Sequence, residues 1–171
     1  MGRVAPCRHR LAVGIAMLLA VLGWTGPAAA ESWGGITPGR TTRKEVEALY
    51  GRPTRERTVT EEGRTSPEWT YVGDRTPRGL ERMVVTFGLL GPRGFVPDLV
   101  RGLILSPKPR VFSRRAIVNG WGEPDGVAKF EQTGRLAFRY SAKGLLIVLD
   151  PTGSWAESLT FAPEKPVGAS P

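Results

Sequence analysis

The sequence predicts an α+β fold of two tandem repeats, each a short helix followed by a four-stranded antiparallel sheet, with the helices packed on one sheet face. Three observations predict it. The segment TTRKEVEALYGRP (Thr41 to Pro53) aligns without a gap on FSRRAIVNGWGEP (Phe112 to Pro124), 71 positions later. Four strand-like runs separated by turn clusters follow each copy. Within those runs apolar residues alternate with milder ones, the pattern of a sheet buried on one face.

The opening residues read as a leader rather than as fold. Arg3, Arg8 and Arg10 form a basic start, Leu11 to Trp24 is apolar, and Ala28, Ala29 and Ala30 supply a small-residue cleavage signal before Glu31. The apolar run is shorter than the roughly 20 residues a membrane span requires. Residues 1–30 are therefore expected to be a cleaved signal peptide and the mature chain to be periplasmic or extracellular. Cys7 precedes the apolar run, so it is misplaced for lipid attachment.

The first helix follows a Gly/Pro lead-in. Thr42 and Glu45 form a capping box, and Val46, Leu49 and Tyr50 share one face. Gly51 is expected as a left-handed cap, with Pro53 preventing continuation. About ten residues do not hold a helix alone, so this one must dock on a sheet. Strands are expected at about 54–60, 68–72, 82–88 and 99–105, with a long loop over 89–98. The second copy repeats the order: a helix over 113–121, then strands at about 126–132, 135–141, 144–150 and 155–161. The domain plan is 31–107 for the first repeat, 108–162 for the second, and a Pro/Gly/Ser tail over 163–171 with nothing to pack.

Composition excludes several chemistries. Beyond residue 30 the chain has no cysteine and no histidine, because Cys7 and His9 are the only ones. Disulfides, thiolate nucleophiles, histidine bases and Cys/His metal sites are thereby removed from the mature chain. No cofactor is implied. The mature charge is 21 basic against 16 acidic residues, or +5, with arginine outnumbering lysine 16 to 5. These cations are dispersed rather than gathered into a stripe, which argues for solvated faces and against nucleic acid.

Strand alternation also divides the sheet faces. Trp69, Tyr71, Leu103, Leu105, Leu136, Phe138, Tyr140, Leu145, Ile147, Leu149, Leu159 and Phe161 fall on the buried phase. The opposite phase carries Thr70, Val84, Thr86, Ile104, Arg139, Leu146 and Val148, more apolar than solvation alone requires. With Phe95, on the 89–98 segment that has no counterpart in the second copy, these are the candidate protein-binding residues.

The residues ITPGRTTRKEVEALYGRPT resemble the start of the BamE (SmpA/OmlA) family of envelope proteins. The tandem arrangement also resembles the β-lactamase inhibitory protein fold, in which paired repeats grip a partner enzyme. The resemblance implies a non-catalytic, exported protein-binding module of the bacterial cell envelope, in an assembly or scaffold role. Its partner would be another envelope or secreted protein, with only indirect membrane contact. The first alternative it implies is inhibition of a secreted enzyme. BamE-type proteins are usually lipoproteins with one such unit, whereas this chain has two and no lipid-accepting cysteine.

The other alternative is a carboxylate-dependent carbohydrate enzyme, built on Asp74, Asp98, Glu131 or Asp150. Asp74 and Asp150 sit in turn sequences that account for them structurally. Ser113 and Thr42 are helix caps without a histidine base.

Overall fold

The computed structural model describes residues 30–92 and 94–164. The expected leader lies outside the described residues apart from Ala30, as does the tail beyond Glu164. The first repeat comprises α1 (Arg43–Tyr50), β1 (Arg55–Glu61), β2 (Arg64–Val72), β3 (Leu80–Gly91) and β4 (Gly94–Pro107). The second comprises α2 (Arg114–Trp121), β5 (Gly126–Lys129), β6 (Leu136–Tyr140), β7 (Leu145–Leu149) and β8 (Ala156–Phe161). All eight strands join in one antiparallel sheet of order β1-β2-β3-β4-β8-β7-β6-β5. The fold class is thus α+β, and the fourth strands of the two repeats are its centre.

The helices form where capping chemistry allows. Thr42 accepts from the Glu45 N–H while Glu45 accepts from the Thr42 N–H at 2.7 Å, completing the capping box. Ser113 caps α2 by accepting from the Ala116 N–H at 3.1 Å. Each helix has eight residues and buries one of them completely, Val46 or Ile117. Burying such a side chain stabilises by about 1.5–3 kcal/mol, enough to hold a helix too short to persist alone.

Both helices stop the same way. Gly51 and Gly122 donate to Glu47 and Val118 carbonyls and then turn out with φ of 70° and 84°. Their ψ values of −166° and −172° place them outside the left-handed helical region. This corrects the expected cap geometry: the chain must swing straight into a strand, and it uses an extended positive-φ conformation open essentially to glycine alone. Each cap is then tied to the sheet by a tyrosine. Tyr71 donates to the Gly51 carbonyl and Tyr140 to the Gly122 carbonyl, both at 3.0 Å. Burial, with lesser effects of Glu47 and Tyr50, pushes the Tyr71 phenol up to about 12, so it remains a donor at neutral pH.

The helices share the buried sheet face with one continuous core. It runs from Trp69, Tyr71 and Phe87 through Leu103 and Leu105 to Phe161, Ile147 and Phe138. Trp69 meets Phe87 edge-on at 5.1 Å, and Arg114 lies over Phe138 at 5.1 Å.

Two elements differ from the sequence expectation. The segment 89–98 is not a long loop: β3 and β4 continue to Gly91 and Gly94 as one extended hairpin. Register shifts at Thr86/Phe87 and Phe87/Leu89 absorb the irregularity that reads as a loop in the sequence. Strand β5 ends at Lys129, because the Phe130 carbonyl accepts from Gly134 and the chain reverses there. Among the described residues no helix is long and apolar enough to cross a membrane.

Two predictions test the helix ends. Gly51→Val and Gly122→Val should each lower stability by about 1–3 kcal/mol in urea unfolding, although a Cβ at either position meets nothing within 4 Å. Unchanged midpoints would show that the positive φ is not required. Tyr71→Phe and Tyr140→Phe should each lose about 0.5–1.5 kcal/mol; thermal melting of both variants checks whether the two ties are equivalent.

Candidate protein-binding face

The sheet face opposite the helices is organised by one cross-strand row. It passes through all eight strands as Arg55, Thr70, Val84, Ile104, Thr160, Leu146, Arg139 and Gly126. The middle of the row is Ile104 paired with Thr160. Equivalent residues of the two repeats lie at equal distances on either side, so the row has a quasi-twofold centre between β4 and β8.

The expected residues fall on this row or beside it. Thr70, Ile104, Leu146 and Arg139 lie in it, and Leu146 is 37% exposed. Thr86 and Val148 occupy equivalent positions in flanking rows, opposite Gly102 and Ser158 respectively. Val84 also lies in the row but is only 2% exposed. It is enclosed in the register by Thr70 and Ile104 and along its strand by Arg82 and Thr86, so it packs rather than contacts a partner. Arg139 lies flat over Gly126, whose missing Cβ leaves the space: a Cβ there would stand 2.9 Å from the guanidinium.

Phe95 is placed differently from the sequence expectation. It belongs to β4, opposite Leu90, and does not stand on a loop tip. Its ring rests where a Cβ on Gly88 would stand 2.7 Å away, beside Ser66, with the Arg64 guanidinium 6.0 Å from the ring centre. Gly88 takes φ of 83° at the bulge. Phe95 therefore packs, half-buried, over Gly88 at the β3–β4 end of the face rather than projecting from it.

Ion pairs were not legible in the sequence and shape the rest of the face. Each repeat has a bulge on its fourth strand, at Arg101 and at Glu157, because Thr86/Phe87 pair with Gly102/Val100 and Val148/Leu149 with Ser158/Ala156. Arg101 makes a two-pronged bond with Glu61 of β1. At the equivalent bulge Glu157 accepts two bonds from Arg135. The position keeps an ion pair while the sign of its charge is exchanged. Arg57 adds a third pair with Glu68, at 2.7 and 3.0 Å. The Arg101 hydrogen bonds hold the Glu61 carboxyl below the usual range.

The carboxylates considered for catalysis are held in separate elements. Asp98 of β4 pairs with Arg43 at 2.9 Å, and Glu131 lies exposed in the β5–β6 turn. Burial opposes ionisation of Asp150, but bonds from Ser154, Thr152 and Trp155 outweigh it and hold its carboxyl below the ordinary range. Those bonds fix the turn between β7 and β8. Among the described residues no group of three or more His, Cys, Asp or Glu is arranged to hold a metal ion.

No protein-family model matches the chain, and no curated protein matches it. Among solved structures it is similar to a DUF4309 family protein (YjgB) from Bacillus subtilis subsp. subtilis str. 168, at 14% identity and a TM-score of 0.48, over 76% of this chain and 83% of that one. It is also similar to a candidate beta-lactamase inhibitor protein from Streptococcus mutans, at 12% identity and a TM-score of 0.31, over 77% of this chain and 89% of that one. The fold described above rests on the chain's own strand order and register.

Two substitutions on the same row separate packing from contact. Arg139→Glu should change unfolding free energy by no more than about 0.5 kcal/mol. Val84→Asp should cost about 3 kcal/mol or more, since it places a carboxylate at a buried position. Equal effects in chemical denaturation would mean that the face is covered, or exposed, throughout.

Proposed function

We propose that this chain is a non-catalytic protein-binding module, exported to the cell envelope, and that it engages its partner with the helix-free face of its sheet. The observation that carries this is the aliphatic centre of that face. Ile104, Leu146 and Val148 lie together there, while both helices and the whole core cluster occupy the other side. A sheet face exposed only to water favours polar residues throughout, whereas a binding patch favours an apolar centre with a polar rim. Here hydroxyls and arginines surround the aliphatic residues.

Within that role we favour an assembly or scaffold function of the BamE-like kind, on the strength of the capped helix and Gly-x-Pro stop that open each repeat. Export rests on the leader-like residues 1–30.

The test is site-specific photocrosslinking in the native host. A photoreactive residue at Leu146 or Val148 should capture an envelope protein, while the same residue at Arg115 on α2 should not. Barrel proteins of the outer membrane, or their assembly partners, would support the scaffold role; one soluble secreted enzyme would support inhibition instead. Capture from Arg115 but not from Leu146 or Val148 would overturn the assignment of the face.

A further inference from the structure

We infer that the open face selects an acidic protein surface, one that sets carboxylates around an aliphatic contact. This inference rests on the protein-binding role proposed above. Its basis is the division of charges between those already satisfied and those left over.

Three of the strand carboxylates on the open-face side are engaged, and the fourth, Glu81 at the Leu80/Arg82 register shift, is exposed and in no ion pair among the described residues. Glu61 is held by Arg101, Glu68 by Arg57 and Glu157 by Arg135. Three arginines on the same phase are not. Arg55, Arg82 and Arg139 are exposed and take part in no ion pair among the described residues. Composition alone shows a modest, dispersed positive charge. The structure sorts that charge, cancelling it at the two bulges and leaving uncompensated guanidinium groups around the middle of the face.

The three arginines are placed to frame the aliphatic centre. Arg139 follows Leu146 in the main row, Arg55 ends that row on β1, and Arg82 lies one row away, opposite Ser106. Arg55 and Arg139 are six strand spacings apart, about 29 Å at ~4.8 Å per spacing. That is close to the side of a standard protein–protein patch of ~800 Å² per partner, and wider than a small-molecule site. Guanidinium groups favour two-pronged bonds to carboxylates, so an acidic rim satisfies all three at once. Nucleic acid also carries the right sign. However, the apolar residues that the arginines frame are aliphatic, and the open-face aromatics, Phe95 packed against Gly88 and the exposed Phe130 at the β5–β6 turn, stand on separate elements and form no continuous base-stacking platform. The exposed Leu146 and the half-buried Ile104 suit a protein surface instead.

The experiment is selection of a random-peptide display library on the immobilised mature chain. Selection is repeated on Leu146→Asp and on the triple variant Arg55→Glu, Arg82→Glu, Arg139→Glu, both confirmed folded by circular dichroism and melting. The expected outcome is peptides with net negative charge and an aliphatic residue between the acids. Their affinity should fall at least about tenfold on the triple variant and weaken when salt is raised to about 0.5 M. Peptides that lose binding on Leu146→Asp but show no acidic bias would overturn this inference and leave the protein-binding role standing. No enrichment, or enriched peptides indifferent to both variants, would overturn the role itself. A single-stranded oligonucleotide that binds more tightly than the peptides, with the same triple-variant sensitivity, would overturn the choice of a protein.

Discussion

The fold depends on the pairing of β4 with β8. Three residue pairs define it: Leu103 with Phe161, Ile104 with Thr160 and Leu105 with Leu159. Alone, each repeat would be a four-stranded sheet with one eight-residue helix, too little to bury a stable core. Each would also end in an apolar strand with unpaired backbone groups, a template for aggregation. Pairing the two fourth strands removes both problems and makes the core continuous from Trp69 to Phe138. It also fixes phase. A slip of one residue at this junction would bring Leu103 and Leu105 onto the face now occupied by Ile104.

The remaining contacts carry that junction outward in duplicate. In the first repeat the Val100 N–H donates to the Thr41 carbonyl, and in the second the Ala156 N–H donates to Phe112. Each fourth strand is thereby bonded to the residue ahead of its own helix cap. Thr42 and Leu99, like Ser113 and Trp155, form bridges at the same point. The cap is thus anchored by the strand that makes the sheet junction, and the tyrosine of the second strand anchors the other helix end. The two outer edges are handled differently. β1 presents Arg55, Glu56, Arg57 and Glu61 to solvent, whereas β5 is limited to four residues; charge and shortness both discourage further pairing.

The helices and the buried phase were legible because they depend on local chemistry and period. Thr42 with Glu45 and the aromatic-Gly-x-Pro stops can be read from neighbouring residues alone. Alternation likewise placed Phe138, Tyr140, Leu159 and Phe161 on the core side. What failed depends on register between distant strands. Gly91 and Gly94 read as loop punctuation, but they flank the β3–β4 connection, and Gly88, read as the end of a strand, forms a bulge under Phe95. Val84 alternates as an outward residue, and its burial follows from the neighbours on both sides. The pairs Arg101–Glu61 and Arg135–Glu157 join residues 40 and 22 positions apart, and no local pattern links them. The same limit hid the free arginines, since a charge is known to be unpaired only once its neighbours are known.

The duplicated scaffold does not carry a duplicated surface. Across the quasi-twofold centre, Ile104 is matched by Thr160, Val84 by Leu146, Thr70 by Arg139 and Arg55 by Gly126. The core positions change little, with Tyr71 matched by Tyr140 and Leu103 by Leu159, because both must fill the same layer beneath equivalent helices. The open face has no such constraint, and there hydroxyl replaces aliphatic and arginine replaces glycine. At the bulges even the charge is reversed while the ion pair persists, so the structural requirement is for a pair and not for its polarity. A symmetric face would accept a partner in two equivalent orientations. Under the binding role proposed for this face, placing the more exposed aliphatic, Leu146, and Arg139 on one half, with Phe95 and its covering Arg64 on the other, would remove that ambiguity. The pairing that gives the sheet its stability is symmetric, and the departures from symmetry lie in strand length, at β1 against β5 and in the long β3–β4 hairpin, and in the residues of the open face.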